Sequence, residues 1–207
     1  MNNSNYLVIV DVQPNFQRNC HFILPEIIEK INSTNQEIIC FYVGKVLEGD
    51  KKNDVIGYFM ENGIDFDKLD KIKFVEKDFG FFRTWMDAGV SEDIMIKAIN
   101  LLKESGFKST SQFSQNDWNK VLTDQDKKSF YFYDEHLFYP TFNGKLFEKP
   151  GVNHMELIGG ALHECLAEVD LYLKAMGKKT HINKDLCYGG KRDKILENQS
   201  KRTKIKM

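Results

Sequence analysis

Short apolar runs alternate with amphipathic segments along most of the chain. Runs of strand length, rich in Ile, Val, Phe and Tyr, cover residues 6–10, 37–43 and 71–75, and a last short run covers 179–183. Apolar residues spaced three or four apart predict helices over 25–31, 55–61 and 116–122, and a longer helix that Ser91 caps and Gly106 ends. Such an alternation is typical of α/β proteins with a mostly parallel sheet.

The most informative stretch covers residues 155–178. A short apolar run leads through Gly159 and Gly160 to Cys165, which opens a helical pattern that Gly177 ends. We therefore predict Cys165 at a helix N-terminus just beyond a strand. Unpaired backbone N–H groups and the helix dipole favour a thiolate there, which makes Cys165 a candidate nucleophile. The competing interpretation is a buried cysteine that only packs in the core.

Two other strand ends carry polar residues of interest. Asp11 directly follows the first apolar run, and open α/β sheets bind their ligands at that end of the strands. Lys77 follows the third run, among aromatic residues, where burial lowers the pKa of a lysine unless a carboxylate keeps it charged. The competing interpretations are that Asp11 caps a turn and that Lys77 is solvated beside a hydrophobic cluster.

The periodicity weakens between residues 108 and 153. Residues 129–133 have the composition of a strand, and Asn143-Gly144 between apolar–polar alternations predicts a β-hairpin over 138–149. This hairpin could pack over a sheet edge, cover a site as a lid, or form an oligomer contact. Residues 191–207 carry seven basic against two acidic residues, which predicts a frayed helix or solvated basic tail.

Charge and cysteine content exclude several classes of function. The 207 residues carry a net charge of −1, so no bulk charge favours nucleic acid or a membrane. No apolar run reaches the roughly 20 residues of a membrane helix, and no signal peptide is evident. The four cysteines are widely spaced without a Cys-x-x-Cys pair, which indicates neither a zinc site nor a disulfide framework. We expect a cytoplasmic protein.

The order of these features resembles a known family. Asp11-Val12-Gln13 with a following Phe16, a lysine after a middle strand, and the segment from Gly159 to Cys165 are similar to the motifs of the isochorismatase-like cysteine hydrolases. The resemblance covers roughly residues 6–106 and 150–190. The separation of Lys77 and Cys165 is long for the family, which implies an insertion within about 108–150. It implies a single domain over residues 1–190 with three α-β-α layers around a mostly parallel, Rossmann-like sheet of about six strands. Members often form dimers or tetramers, so the resemblance also implies a homo-oligomer.

The resemblance also implies a set of site residues. Asp11, Lys77 and Cys165 would form a catalytic triad, and the backbone amides of Ala161 and Cys165 would form an oxyanion hole, with a cis peptide bond between Gly160 and Ala161. The candidates for the substrate pocket are Gln13, Phe16, Phe81, Trp85, Gly160 and His163. For Phe16, Phe81 and Trp85 a position in the core is an equal alternative, and His163 would otherwise be a capping or surface residue.

One departure from the family narrows the expected chemistry. Nicotinamidases of this family hold a metal with an aspartate and several histidines after the second strand, whereas no histidine occurs between Val43 and Lys77 here. We therefore expect neither a metal nor a cofactor. The resemblance implies a hydrolase that cleaves a C–N bond of a small amide, ureide or carbamoyl compound, with vinyl-ether hydrolysis as a variant. The alternatives are a catalytically silent protein that binds a ligand or partner, and a redox or acyl-carrying role for Cys165.

Overall fold

Five parallel strands form the centre of the molecule. The structure is a computed structural model that describes residues 6–44, 50–77, 82–129, 136–140 and 154–189. The strands are β1 (Tyr6–Val10), β2 (Glu37–Val43), β3 (Ile72–Lys77), β4 (His154–Gly159) and β5 (Lys179–Cys187). Their order across the sheet is β3-β2-β1-β4-β5, with β1 in the middle, and every neighbouring pair is parallel. The class is α/β with a Rossmann-like sheet.

Nine α-helices connect or flank these strands in the described part of the chain. They are α1 (Gln17–Cys20), α2 (Leu24–Ser33), α3 (Lys52–Glu61), α4 (Phe66–Leu69), α5 (Arg83–Asp87), α6 (Glu92–Ser105), α7 (Gln115–Val121), α8 (Asp124–Ser129) and α9 (Cys165–Ala175). Single 3-10 turns cover Pro14–Phe16 and Thr110–Gln112.

The two residues that predicted the ends of α6, the longest of these helices, cap it in the structure. Ser91 Oγ accepts a hydrogen bond from the backbone N–H of Ile94 at the start of α6. Gly106 ends α6 in the left-handed conformation, with φ of 71°. The predicted boundaries of α6 are therefore confirmed.

Two apolar clusters cover the two faces of the sheet, which gives three layers. Val8 and Val10 of β1 pack with α6, α7 and α9 on one face. Leu7 and Ile9 pack with α2 and α3 on the other face. Since successive side chains of a strand point to opposite faces, a wholly apolar β1 is the pattern of a strand covered on both sides.

The structure differs from the sequence prediction in the strands. The described residues contain five strands instead of about six, and β5 extends four residues beyond the predicted end at residue 183. Ser129, the first residue of a predicted strand, ends helix α8 instead, and residues 130–133 lie outside the described residues.

Part of the predicted insertion, residues 130–135 and 141–150, and the whole predicted tail lie outside the described residues. The turn of the predicted hairpin and the basic tail are among the residues that are not described. Phe138, at the start of the predicted hairpin, forms an isolated antiparallel bridge with Ser109. Among the described residues, no helix is long and apolar enough to cross a membrane.

Candidate active site

Three polar residues meet at the carboxyl edge of the sheet. Asp11 follows β1, Lys77 is the last residue of β3, and Cys165 follows β4 as the first residue of α9. Strands β1 and β4 are neighbours, although the chain passes through β2 and β3 between them. Such a switch in strand order opens a crevice at the carboxyl ends, where α/β sheets bind ligands.

Asp11 and Lys77 form a buried ion pair. Lys77 Nζ lies 3.1 Å from Asp11 Oδ2, and the two side chains are 0% and 1% exposed. Burial alone would lower the pKa of Lys77, but the negative charge of Asp11 raises it, so the amine is held as ammonium. Burial raises the pKa of the Asp11 carboxyl, against the opposing effect of Lys77.

Asp11 keeps the capacity to accept a proton. The Cys165 thiol lies close enough to the carboxylate for each group to shift the pKa of the other. Neither carboxylate oxygen accepts a hydrogen bond of standard geometry from the described part of the chain. A buried carboxylate with open acceptor positions beside a thiol is suited to act as a general base.

Cys165 is not a resting thiolate. Its side chain is buried, with 6% of the residue exposed. Burial and the negative charge of Asp11 raise the pKa of the thiol, and the Lys77 ammonium offsets only part of this effect. Burial and the nearby carboxylate therefore act against the thiolate that a helix N-terminus would favour.

The backbone before Cys165 is tightly folded. The peptide bond between Gly160 and Ala161 is cis, as the resemblance implied. The carbonyl of Ala161 accepts hydrogen bonds from the N–H groups of Glu164 at 2.9 Å and Leu166 at 3.2 Å. Within the described part of the chain, the N–H groups of Ala161 and Cys165 donate to no backbone carbonyl, so both are candidates to bind an oxyanion.

Tyr188 joins the two loops that carry the acid and the sulfur, and the sequence analysis did not identify it. Its hydroxyl donates to the carbonyl of Asp11 at 2.9 Å. Its N–H donates to the Gly159 carbonyl at 3.0 Å, and its carbonyl accepts from Leu162 N–H at 2.8 Å. Asp11 has φ of 52°, a conformation that non-glycine residues adopt rarely, so this hydrogen bond supports a strained position.

Glycine is required where β4 passes the end of β1. A Cβ at Gly159 would lie 2.2 Å from the Val10 carbonyl oxygen, and φ there is 99°. A Cβ at Gly160 would lie 2.8 Å from atoms of the Tyr188 ring. Gly160 is buried at the edge of the site, which agrees with its predicted place beside the pocket. Its nearest neighbour there is the ring of Tyr188.

Gln13 has a structural role instead of the predicted place in the pocket. Its side chain is fully buried and its amide donates to the Val43 carbonyl at 3.1 Å and to Asp50 Oδ2 at 2.8 Å. Its Oε1 accepts from Val43 N–H at 2.8 Å. Asp50 also accepts from Asn15 N–H, so these residues tie the loop after β1 to the end of β2. The polar atoms of Gln13 are thereby committed to protein partners.

The other predicted pocket residues that the structure describes lie in different parts of the molecule. Trp85 is fully buried and stacks on Trp118 with ring centroids 6.1 Å apart, so the core interpretation holds for it. Phe16 is half-buried against the opposite apolar cluster. His163 is exposed. Phe81 lies outside the described residues.

A second buried carboxylate lies beside the first three groups. Glu168 is 1% exposed, and its Oε1 accepts a hydrogen bond from the backbone N–H of Phe82 at 2.6 Å. The sequence contained a signal for it, because an acidic residue three positions after Cys165 interrupts the apolar face of α9. Among the described residues, no group of three or more His, Cys, Asp or Glu side chains is arranged to hold a metal ion.

Comparisons with known proteins leave the class at α/β with a Rossmann-like sheet. The chain matches no protein-family model and no curated protein. It is similar to a solved structure described as a "putative Mar1 ribonuclease from Leishmania major", with 13% identity and a TM-score of 0.39. That match covers 92% of this chain and 69% of the other. A likeness this distant carries no argument about the function of this protein.

Proposed function

We propose that the protein is a cysteine hydrolase that cleaves a C–N bond of a small amide, ureide or carbamoyl compound without a metal. The observation that supports this most is the convergence of Asp11, Lys77 and Cys165, from three separate strand ends, in one buried cluster. A nucleophile with an acid–base group beside it is the minimum for covalent catalysis.

The charges of the cluster explain how a thiol of raised pKa can react. With Asp11 ionised, Lys77 charged and Cys165 protonated, the three groups carry no net charge. Loss of the thiol proton to solvent would leave an uncompensated negative charge in a buried site, which is costly. Transfer of that proton to Asp11 preserves neutrality, so we propose that the thiolate forms only as the sulfur attacks.

In the first half of the reaction the sulfur of Cys165 bonds to the substrate carbonyl carbon while Asp11 takes the thiol proton. The backbone N–H groups of Ala161 and Cys165 stabilise the resulting oxyanion, and one such donor is worth about 3–4 kcal/mol. Collapse of the tetrahedral intermediate breaks the C–N bond. Asp11 returns the proton to the leaving nitrogen, which leaves a thioester on Cys165.

In the second half a water molecule attacks the thioester carbonyl while Asp11 accepts one of its protons. The C–S bond breaks, the sulfur regains a proton, and the acid product leaves. Lys77 stays charged throughout, and its role is to hold Asp11 in place and to balance the negative charge that moves between oxygen and sulfur.

The test is ammonia or amine release from a panel of small amides, ureides and carbamoyl compounds. Cys165→Ala should reduce turnover of any active compound at least ~1,000-fold, as expected for loss of a nucleophile. The matched control is Cys20→Ala, because Cys20 is another buried cysteine but packs in the opposite cluster. Unchanged turnover in Cys165→Ala would end this proposal.

One observation favours a second candidate, a catalytically silent protein that binds a small ligand. Cys165 is buried and its pKa is raised, which are the properties of an inert structural cysteine. Under this alternative, panel compounds would bind without being cleaved. Calorimetric binding together with absent turnover would favour it over the hydrolase.

The proposed setting is the cytoplasm. All four cysteines are unpaired, which supports a reducing compartment. The oligomeric state implied by the resemblance is a further proposal that sedimentation of the purified chain would test.

A further inference from the structure

Glu168 is a buried ionisable residue that the proposed mechanism does not use. It lies one helical turn after Cys165 on α9 and is 1% exposed. A carboxylate buried to this degree is costly unless hydrogen bonds or charges compensate it. Its Oε1 accepts a hydrogen bond from the backbone N–H of Phe82 at 2.6 Å.

That hydrogen bond crosses the site. Lys77 ends β3 at one edge of the sheet, whereas α9 follows β4 on the other side of β1. Phe82 is five residues after Lys77, so the bond joins the segment after β3 to the helix that carries Cys165. It therefore connects the lysine side of the cluster to the sulfur side.

A second link between the same two segments is more exposed. Arg83 Nη1 lies 3.0 Å from Glu164 Oε2, and these side chains are 36% and 44% exposed. An exposed ion pair contributes about 0–1 kcal/mol, so it is a weak substitute for a buried hydrogen bond to a charged group. Of these two links, the buried hydrogen bond of Glu168 is therefore the stronger.

Glu168 also acts on the cluster through its charge. It helps to raise the pKa of Lys77 and that of the Cys165 thiol, while Lys77 in turn lowers the pKa of Glu168 against the effect of burial. These mutual effects require the carboxylate to lie near both groups.

We propose that Glu168 is a positioning residue of the Asp11–Lys77–Cys165 site, which holds the segment after Lys77 against the first turn of the Cys165 helix. This role deepens the proposed hydrolase function and rests on it for its meaning in catalysis. Glu168 itself does not contact the substrate in the proposed mechanism. Its contribution comes through the backbone of Phe82 and through its charge near Lys77.

The test compares Glu168→Gln, Glu168→Leu and Asp170→Asn with the unmodified protein. Gln keeps an acceptor for Phe82 N–H but removes the charge, whereas Leu removes both. Asp170 is the matched control, since it is a mostly buried carboxylate on the same helix that pairs with Lys174. Iodoacetamide labelling of the Cys165 peptide across pH and hydrogen exchange of the Phe82 amide, both followed by mass spectrometry, supply the readouts.

We expect the pH midpoint of Cys165 labelling to fall in both Glu168 variants and to stay unchanged in Asp170→Asn. Exchange of the Phe82 amide should stay slow in Glu168→Gln and become at least about tenfold faster in Glu168→Leu. If Glu168→Leu does not fold, the midpoint in Glu168→Gln decides alone. An unchanged midpoint in Glu168→Gln would overturn the proposal.

Failure of this inference is distinguishable from failure of the hydrolase proposal. Both readouts are taken without substrate, so they remain interpretable if no panel compound is cleaved. Conversely, a hydrolase that loses turnover in Cys165→Ala but shows an unchanged midpoint in Glu168→Gln would refute only the role of Glu168.

Discussion

Breaking the Asp11–Lys77 ion pair should destabilise the fold strongly, and removing both charges together should restore much of the loss. The two side chains are almost fully buried and 3.1 Å apart. Removal of one partner of a buried pair leaves an uncompensated charge and costs about 3–5 kcal/mol. For a chain of this size that corresponds to a fall of roughly 6–20 °C in Tm.

The perturbations are Asp11→Asn, Lys77→Met and the double variant. Asn is chosen because it tolerates the left-handed backbone conformation that Asp11 adopts. Each single variant should lose about 3–5 kcal/mol, and the double variant should be about 2–3 kcal/mol more stable than the sum of the single losses predicts.

Urea unfolding followed by tryptophan fluorescence measures these free energies. Trp85 is fully buried against Trp118, so its emission reports loss of the core. An unchanged slope of free energy against urea would show that the variants keep a comparable unfolding reaction.

The matched control is Lys97→Met. Lys97 and Asp93 form an ion pair at 2.6 Å on the surface of α6, with 45% and 73% of their side chains exposed. Its removal should cost about 0.3–0.5 kcal/mol. Single losses at Asp11 and Lys77 no larger than this, or a coupling energy below about 0.5 kcal/mol, would refute the buried ion pair.

Three further outcomes are expected. Gly159→Ala should lower the free energy of unfolding in urea by more than ~3 kcal/mol, because its Cβ would meet a carbonyl oxygen. Gly57→Ala, in open space on α3, should raise that free energy by about 0.5–1 kcal/mol. Equal effects of the two substitutions would contradict the close approach at Gly159. Tyr188→Phe should lose about 1–2 kcal/mol because the Asp11 carbonyl loses its donor, and an unchanged urea midpoint would argue against that bond. The absorbance of the Cys165 thiolate at 240 nm, after subtraction of the Cys165→Ala signal, should appear at lower pH in Asp11→Asn. The reason is that a negative charge that raises the thiol pKa has been removed. A higher midpoint of this titration would contradict the assigned effect of Asp11.

The strands and most helices followed from local pattern. β1 and β2 are apolar on both faces, and α6 carries its own start and stop signals at Ser91 and Gly106, so little tertiary information was needed. The same holds for the placement of Asp11 and Cys165, because parallel strands bring their carboxyl ends to one edge.

Features that depend on contacts distant in sequence were not predictable. Tyr188 meets Asp11 across 177 positions, and nothing in its neighbourhood marks that hydrogen bond. Gln13 was assigned to the pocket because it belongs to the Asp11-Val12-Gln13 motif, yet its amide donates hydrogen bonds to Val43 on β2 and to Asp50. The effects of burial and of Asp11, which raise the pKa of the Cys165 thiol, could not be predicted either, because the degree of burial is not visible in a sequence.

The most direct test of the proposed mechanism is whether an acyl group becomes attached to Cys165 during turnover. The protein would be mixed with the best cleaved compound of the panel, quenched in acid within the first turnover, and digested for mass spectrometry. The proposed mechanism predicts an added acyl mass on the peptide that contains Cys165. This added mass should be absent from the corresponding peptide of Cys165→Ser. Continued turnover in Cys165→Ser, with no adduct on the unmodified protein, would contradict it.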